Sequence, residues 1–155
     1  LGNTSGKADN GSITYRGEEN WYGNIWKWVD GLNIEAKGLH NLYVANENFA
    51  DDIGTDPYKD AGITLAKSNG YISAFAYNEE FDWLFFASET SGDSSLPVGD
   101  YLYQSHASNN WLAALLGGYW NSSSYGGGFC WYVNITASTR ARFRGGRLVY
   151  VPDAA

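Results

Sequence analysis

Aromatic residues in this chain are separated by glycine, asparagine and serine, not set at the three- and four-residue intervals that build an amphipathic helix. That spacing constrains the fold more than any other feature. Bulky rings between turn-forming residues favour short strands, tight turns and ordered loops over a helical bundle. The composition agrees, with 19 Gly, 7 Trp and 12 Tyr but no Met in 155 residues. A chain of this length suits one domain with a real core. No run approaches the roughly 18 apolar residues that span a bilayer, so no membrane insertion is expected. The start, Leu1-Gly-Asn-Thr-Ser-Gly6, lacks the basic and apolar regions of a secretory signal and an initiating Met, so the chain is expected to be part of a longer protein.

Net charge is −7, unevenly distributed. Residues 1–100 carry 16 Asp and Glu against 5 Lys and Arg16, which gives −10; residues 101–155 carry Asp153 against Arg140, Arg142, Arg144 and Arg147, which gives +3. An acidic body with a weakly basic tail excludes general nucleic-acid binding, which needs a concentrated basic face. The arginines suit the steering of an acidic partner. Cys130 is the single cysteine, so no internal disulfide is possible; it reads as a small buried hydrophobe.

Residues 1–11 read as a linker or flexible start and 12–155 as one folded domain. Ser12–Tyr15 reads as a short strand. Glu18 and Glu19 mark a helix start, where acidic side chains favour the dipole. Asn24–Val29 alternates aromatic and polar residues up to Asp30-Gly31, a hairpin-turn dipeptide, and 32–36 pairs with 41–45 beyond it. Gly70–Phe75 reads as a strand. Glu79–Phe86 reads as a turn or short helix that buries Trp83, Phe85 and Phe86. In the last third, Trp131–Ile135, Ser138–Arg144 and Arg147–Val151 read as strands, the middle one by its alternation.

A catalytic constellation is hard to assemble. His40 and His106 form no local motif with Cys130, and there is no nucleophile elbow, phosphate loop or metal-binding His pair. Glu79, Glu80 and Asp82 have the residue types of a glycosidase pair but read as a solvated turn. The loop holding Asp51, Asp52, Asp56 and Asp60 offers oxygens to calcium without the spacing of an EF-hand, and reads as a plain acidic loop. No catalytic residue, metal or cofactor is assigned. Sequons at Asn3, Asn10, Asn121 and Asn134 are explained by a composition rich in Asn, Ser and Thr.

Two segments resemble a known family. Tyr15-Arg-Gly-Glu-Glu-Asn-Trp-Tyr-Gly-Asn-Ile-Trp-Lys-Trp-Val-Asp30 resembles the G-N-x-W-[EK]-W-x-D segment of formylglycine-generating-enzyme-like domains. Gly117-Gly-Tyr-Trp120 through Gly145-Gly-Arg-Leu-Val149 resembles that group's closing G-G-x-W … G-[FG]-R-L-V pattern. The same paired segments occur in phage tail proteins and in the variable proteins of diversity-generating retroelements, and here they cover about a third of the chain. The resemblance implies an α+β domain of C-type-lectin type, with short helices packed on small twisted antiparallel sheets. The enzymes of the group use cysteine chemistry, which a lone Cys130 outside the motif does not match, so the resemblance implies a display scaffold and not an oxidase.

Adenine-directed mutagenesis of Asn-type codons yields Tyr, Ser, Asn, Thr, Arg, Gly and similar residues, but not readily Lys, Glu, Gln, Met or Trp. Lys, Glu, Gln and Met are absent between Ser105 and Tyr150, and Trp120 and Trp131 sit where the family pattern places scaffold aromatics. On this reading Gly117, Gly118, Trp120, Gly126, Gly127, Phe129, Trp131, Gly145, Gly146 and Leu148 hold the scaffold. Tyr119, Asn121, Ser122, Ser124, Tyr125, Gly128, Cys130, Tyr132, Asn134, Thr136, Thr139, Arg140, Arg142 and Phe143 present outward, as the tyrosines, serines and arginines of paratopes do. Tyr119 and Tyr132 are also compatible with a core position. Trp26, Trp28, Trp120 and Trp131 are expected to be buried. The expected function is non-catalytic recognition of a protein or glycan on a cell surface, through a hypervariable C-terminal face carried on a virion tail or cell surface. The alternatives are an invariant carbohydrate-binding or virion structural module and, more remotely, a glycan hydrolase.

Overall fold

The computed structural model describes Thr14–Tyr15 and residues 18–104 and 109–146. Its strands are β1 Thr14–Tyr15, β2 Glu18–Glu19, β3 Trp26–Lys37, β4 Leu39–Val44, β5 Lys59–Thr64, β6 Gly70–Tyr71, β7 Ala74–Phe75, β8 Ala87–Glu89, β9 Tyr101–Tyr103, β10 Asn110–Leu116, β11 Trp131–Ile135 and β12 Arg144–Gly145. Single 3-10 turns at Glu79–Phe81 and Ser123–Tyr125 are the helical segments among the described residues. Strand accounts for 38% and helical conformation for 5%, with no α-helix among the described residues, and the main sheet curls into a half-barrel. The expected α+β, C-type-lectin-type architecture with short helices is therefore corrected to a β-rich fold. The helix start assigned to Glu18 and Glu19 fails for a local reason. Both pair with β1, and Asn20 (φ 53°) and Gly23 (φ 79°) then turn the chain through left-handed backbone that a helix does not contain.

The main sheet has 8 strands, in the order β5-β4-β3-β10-β11-β9-β6, with β12 added alongside β3. Most neighbours are antiparallel, but β9 runs parallel to β11 and β12 runs parallel to β3. The expected pairing of 32–36 with 41–45 is present: Leu32 lies opposite Val44 and Ala36 opposite His40. The turn of that hairpin is at Gly38, however, and not at Asp30-Gly31. Asp30 and Gly31 lie inside β3 as a bulge. Across from β10, Ala113 faces Asn33 while the next residue, Ala114, faces Val29. Gly31 has φ +78°, its carbonyl accepts the Ala45 N–H at 2.9 Å, and a Cβ there would strike the Ala45 carbonyl. Left-handed backbone next to a close approach requires glycine, which serves a bulge as well as a turn.

The bulge changes which side chains of β3 face each way. Beyond it, Leu32, Ile34 and Ala36 enter the main core with Leu42, Val44, Ile63, Ile72, Phe86, Leu102, Leu112 and Val133. Before it, Trp26 and Trp28 join a second, smaller cluster with Leu115, Cys130 and Ile135. Trp131 belongs to the main core, where its ring stacks on Phe86 at 4.2 Å and its Nε1 donates to the Phe85 carbonyl at 3.1 Å.

Other expectations are corrected. Gly70–Phe75 is not one strand: β6 lies in the main sheet, while β7 pairs with β8 in a separate ribbon. Ser138–Arg144 forms turns, with Thr139 N–H donating to the Thr136 carbonyl and Arg144 N–H to the Ala141 carbonyl, both at 3.1 Å. The hydroxyls of Thr136, Ser138 and Thr139 bond one another, the local chemistry by which Ser and Thr compete with a ladder. Leu84 and Phe86 are buried while Phe85 and Trp83 are exposed, so of the three rings expected to be buried only Phe86 is. The strand read over Arg147–Val151, the residues before Thr14 and scaffold residue Leu148 lie outside the described residues.

Candidate functional site

The face of the sheet opposite the main core carries a continuous tract of rings. In β9, Leu102 enters the core, which leaves Tyr101 and Tyr103 on the other side. Antiparallel β6 places Tyr71 opposite Tyr101, and parallel β11 places Tyr132 opposite Tyr103. The ring centroids are 5.1 Å apart in the first pair and 5.6 Å in the second. Trp26 closes the tract from β3, 5.5 Å from Tyr132 and 5.9 Å from Tyr103. Tyr125, on a 3-10 turn, lies over the tract, 4.8 Å from Tyr101 and stacked near Tyr71 at 5.8 Å. Edge-to-face and offset arrangements of this kind add about 0.5–1.5 kcal/mol per pair beyond area burial.

A second ring group adjoins the first. Tyr119 stacks on Phe143 at 4.8 Å, and Trp120 stands edge-on to both. Arg144 joins the groups, with its guanidinium 5.8 Å from the Tyr132 ring and 5.1 Å from that of Phe143. Beneath lie Trp26 (3% exposed), Leu115, Cys130 and Ile135. Outermost are Trp120, 47% exposed, and Tyr125, 41% exposed.

The structure brings together several of the residues singled out in the sequence. Tyr119, Tyr125, Tyr132 and Phe143 belong to these ring groups. Asn121, Ser124, Arg140 and Arg142 are exposed, and Gly128, Asn134, Thr136 and Thr139 are half-buried. Two assignments are corrected. Cys130 is completely buried, and Ser122 is buried with its Oγ accepting the Tyr119 N–H at 2.9 Å, so both hold the fold and present nothing. Tyr119 and Tyr132 are half-buried against the second cluster. Two scaffold assignments are corrected in the other direction: Trp120 and Phe129 are exposed. Gly118 (φ 76°) turns the chain outward ahead of Trp120, whose N–H is held by the Asn24 carbonyl at 3.0 Å. Trp28 is half-buried, while Trp26 and Trp131 are buried as expected. Tyr71, Tyr101 and Tyr103 were not singled out. The alternation of Tyr101-Leu102-Tyr103 was the available signal, but their neighbours come from strands distant in sequence.

Burial governs the titratable groups here. It pushes the Cys130 thiol well above its ordinary range, with the nearby Asp100 carboxylate adding to the effect, so the thiol is a poor nucleophile at neutral pH. It also raises the Tyr103 and Tyr101 phenols. The Asp100 carboxyl is raised by burial and partly stabilised by the Phe129 N–H, which donates to it at 2.9 Å. Through that bond Asp100 ties the loop behind Tyr125 to the start of β9.

The other candidates form no site. Glu79 and Glu80 are exposed on the 3-10 turn, and Glu80 pairs with Lys59 at 3.4 Å on the open surface, a contact worth about 0–1 kcal/mol. Asp51, Asp52 and Asp56 are exposed, and Asp60 accepts the Gly62 N–H at 2.8 Å. Among the described residues no group of three or more His, Cys, Asp or Glu side chains is placed to hold a metal ion. His106 lies outside the described residues. No helix of the described residues is long and apolar enough to cross a membrane. Comparison with protein-family models, with curated proteins and with solved structures finds no match.

Proposed function

We propose that this domain is a non-catalytic recognition module that holds a protein or glycan ligand against the aromatic face, as part of a virion tail or cell-surface protein. The observation that supports it is the convergence of rings from β3, β6, β9 and β11 and two loops on one outward face, with Trp120 and Tyr125 outermost. Rigid aromatic area rimmed by hydroxyls, amides and arginines binds at low entropic cost.

A finer reading makes part of this face diversifiable. It is favoured by the absence of Lys, Glu, Gln and Met from Ser105 to Tyr150. Burial restricts such variation to Asn121, Ser124, Tyr125, Arg140 and Arg142, whose side chains are exposed. A near-repeat of the 3′ coding end that differs at adenines, beside a reverse transcriptase gene, is the expected finding in the flanking DNA.

The recognition reading is tested by probing a glycan microarray and a displayed peptide library with the labelled chain, beside the variant carrying Trp120→Ser and Tyr125→Ser. Targets retained by the parent and lost by a variant with an unchanged circular dichroism spectrum are expected. A double variant that keeps every target sinks the proposal.

A further inference from the structure

Resting on the recognition reading, we infer that the ligand is an acidic glycan whose sugar carboxylates are held by Arg144 with Arg140 and Arg142. Arg144 sits over the Tyr132 and Phe143 rings, and its Nε is shielded from water with no hydrogen-bond partner. A guanidinium that has lost water on one side and gained no acceptor there is short of negative charge. No ion pair shown among the described residues involves Arg144. Arg140 and Arg142 are exposed on the same loop that carries Phe143. An external carboxylate meets these cations in the planar, forked geometry that arginine favours.

The surroundings point to a sugar as the carrier of that carboxylate. Ring faces suit the C–H faces of pyranoses, and the tyrosyl hydroxyls with Asn121, Ser124, Thr136 and Thr139 supply neutral partners for sugar hydroxyls.

The test uses the full chain in biolayer interferometry against immobilised polygalacturonate, sialylated oligosaccharide, carboxyl-reduced polygalacturonate, a poly-glutamate peptide and single-stranded DNA. The parent is expected to bind at least one of the two acidic glycans. For a glycan that binds, affinity is expected to fall about tenfold or more with Arg144→Gln, and likewise with the Arg140→Gln, Arg142→Gln pair, as for loss of an interface arginine. Reducing the carboxylates to alcohols is expected to have a similar effect where polygalacturonate is the target. Arg144→Lys should recover little, because a point charge does not replace the fork. Should Arg144→Gln unfold the chain, the exposed Arg140 and Arg142 pair carries the test. Equal binding to the reduced polymer, or binding to peptide or DNA with none to either glycan, overturns the inference. Neutral-sugar binding that Trp120→Ser abolishes would overturn it while leaving the recognition reading intact.

Discussion

The two sides of the main sheet bury their residues differently. On one side, Ile34, Leu42, Ile63, Ile72 and Leu102 are sealed completely from water. On the other, Tyr101, Tyr103, Tyr119 and Tyr132 are only half covered, and Tyr125 and Trp120 stand proud of them. Aliphatic side chains stabilise a fold by leaving water altogether, so a void among them is costly. Tyrosines tolerate a wet hydroxyl and a dry ring, so the second side can remain a surface and still be ordered. One side of the sheet is thus a sealed aliphatic core, and the other carries an ordered, partly exposed aromatic surface over a smaller buried cluster.

The comparison can be broken most directly on the sealed side. Phe86→Ala, which removes the partner of Trp131, is expected to cost about 3–5 kcal/mol in urea denaturation. Ile34→Ala is expected to cost about 2–5 kcal/mol. A loss below 1 kcal/mol in either would mean that the main core is not where stability resides. Gly31→Ala comes next, at about 1–3 kcal/mol from left-handed backbone alone. Its collision with the Ala45 carbonyl should also reduce the order of both ring groups, read as near-ultraviolet circular dichroism. Tyr119→Ser should cost about 1–2 kcal/mol, because it removes a half-buried ring and its stacking on Phe143. Tyr125→Ser should cost less than about 1 kcal/mol while abolishing binding. If Tyr125→Ser were as damaging as Phe86→Ala, the two sides would not differ.

The smallest expected effect is one of pH. Asp100 has a folded pKa raised above its unfolded value, so the folded state holds the proton more tightly. Stability should therefore fall as pH rises from the ordinary aspartate range through the raised folded value. Asp100→Asn keeps an oxygen for the Phe129 N–H and should lack that decline. Parallel pH profiles of the melting temperature for parent and variant would show that Asp100 does not contribute it.

The sequence made part of this arrangement legible. Trp131–Ile135 and the pairing of β3 with β4 were legible, the latter because local patterning and local pairing coincide in a hairpin, whereas the alternation over Ser138–Arg144 marked a strand where the chain forms turns. Asp30-Gly31 was misleading because the same left-handed glycine builds a turn or a bulge, and only contacts with β10 and Ala45 decide between them. The ring face was half visible. Tyr119, Tyr125, Tyr132 and Phe143 lie in the segment that composition marked out, whereas Tyr71, Tyr101 and Tyr103 reach the face through the pairing of β6 and β11 with β9. Trp120 reads as a scaffold residue because the resembled family's pattern places an aromatic there; the glycine turn ahead of it puts its ring outside. The expected helices failed because acidic residues at a helix start contribute a weak preference that strand pairing outweighs.

The parallel contact of β12 with the first residues of β3 joins the two ends of the described chain: Arg144 lies opposite Trp26. A contact spanning so much sequence forms late, after the intervening strands have shortened the effective loop. Arg144 also bridges the two ring groups, so the last ladder rung to close and the link between those groups are the same residue. During synthesis, the main core can begin to assemble from β3, β4 and β5 while the C-terminal third is still being made. The aromatic face cannot, because Tyr125, Tyr132, Phe143 and Arg144 all come from that third.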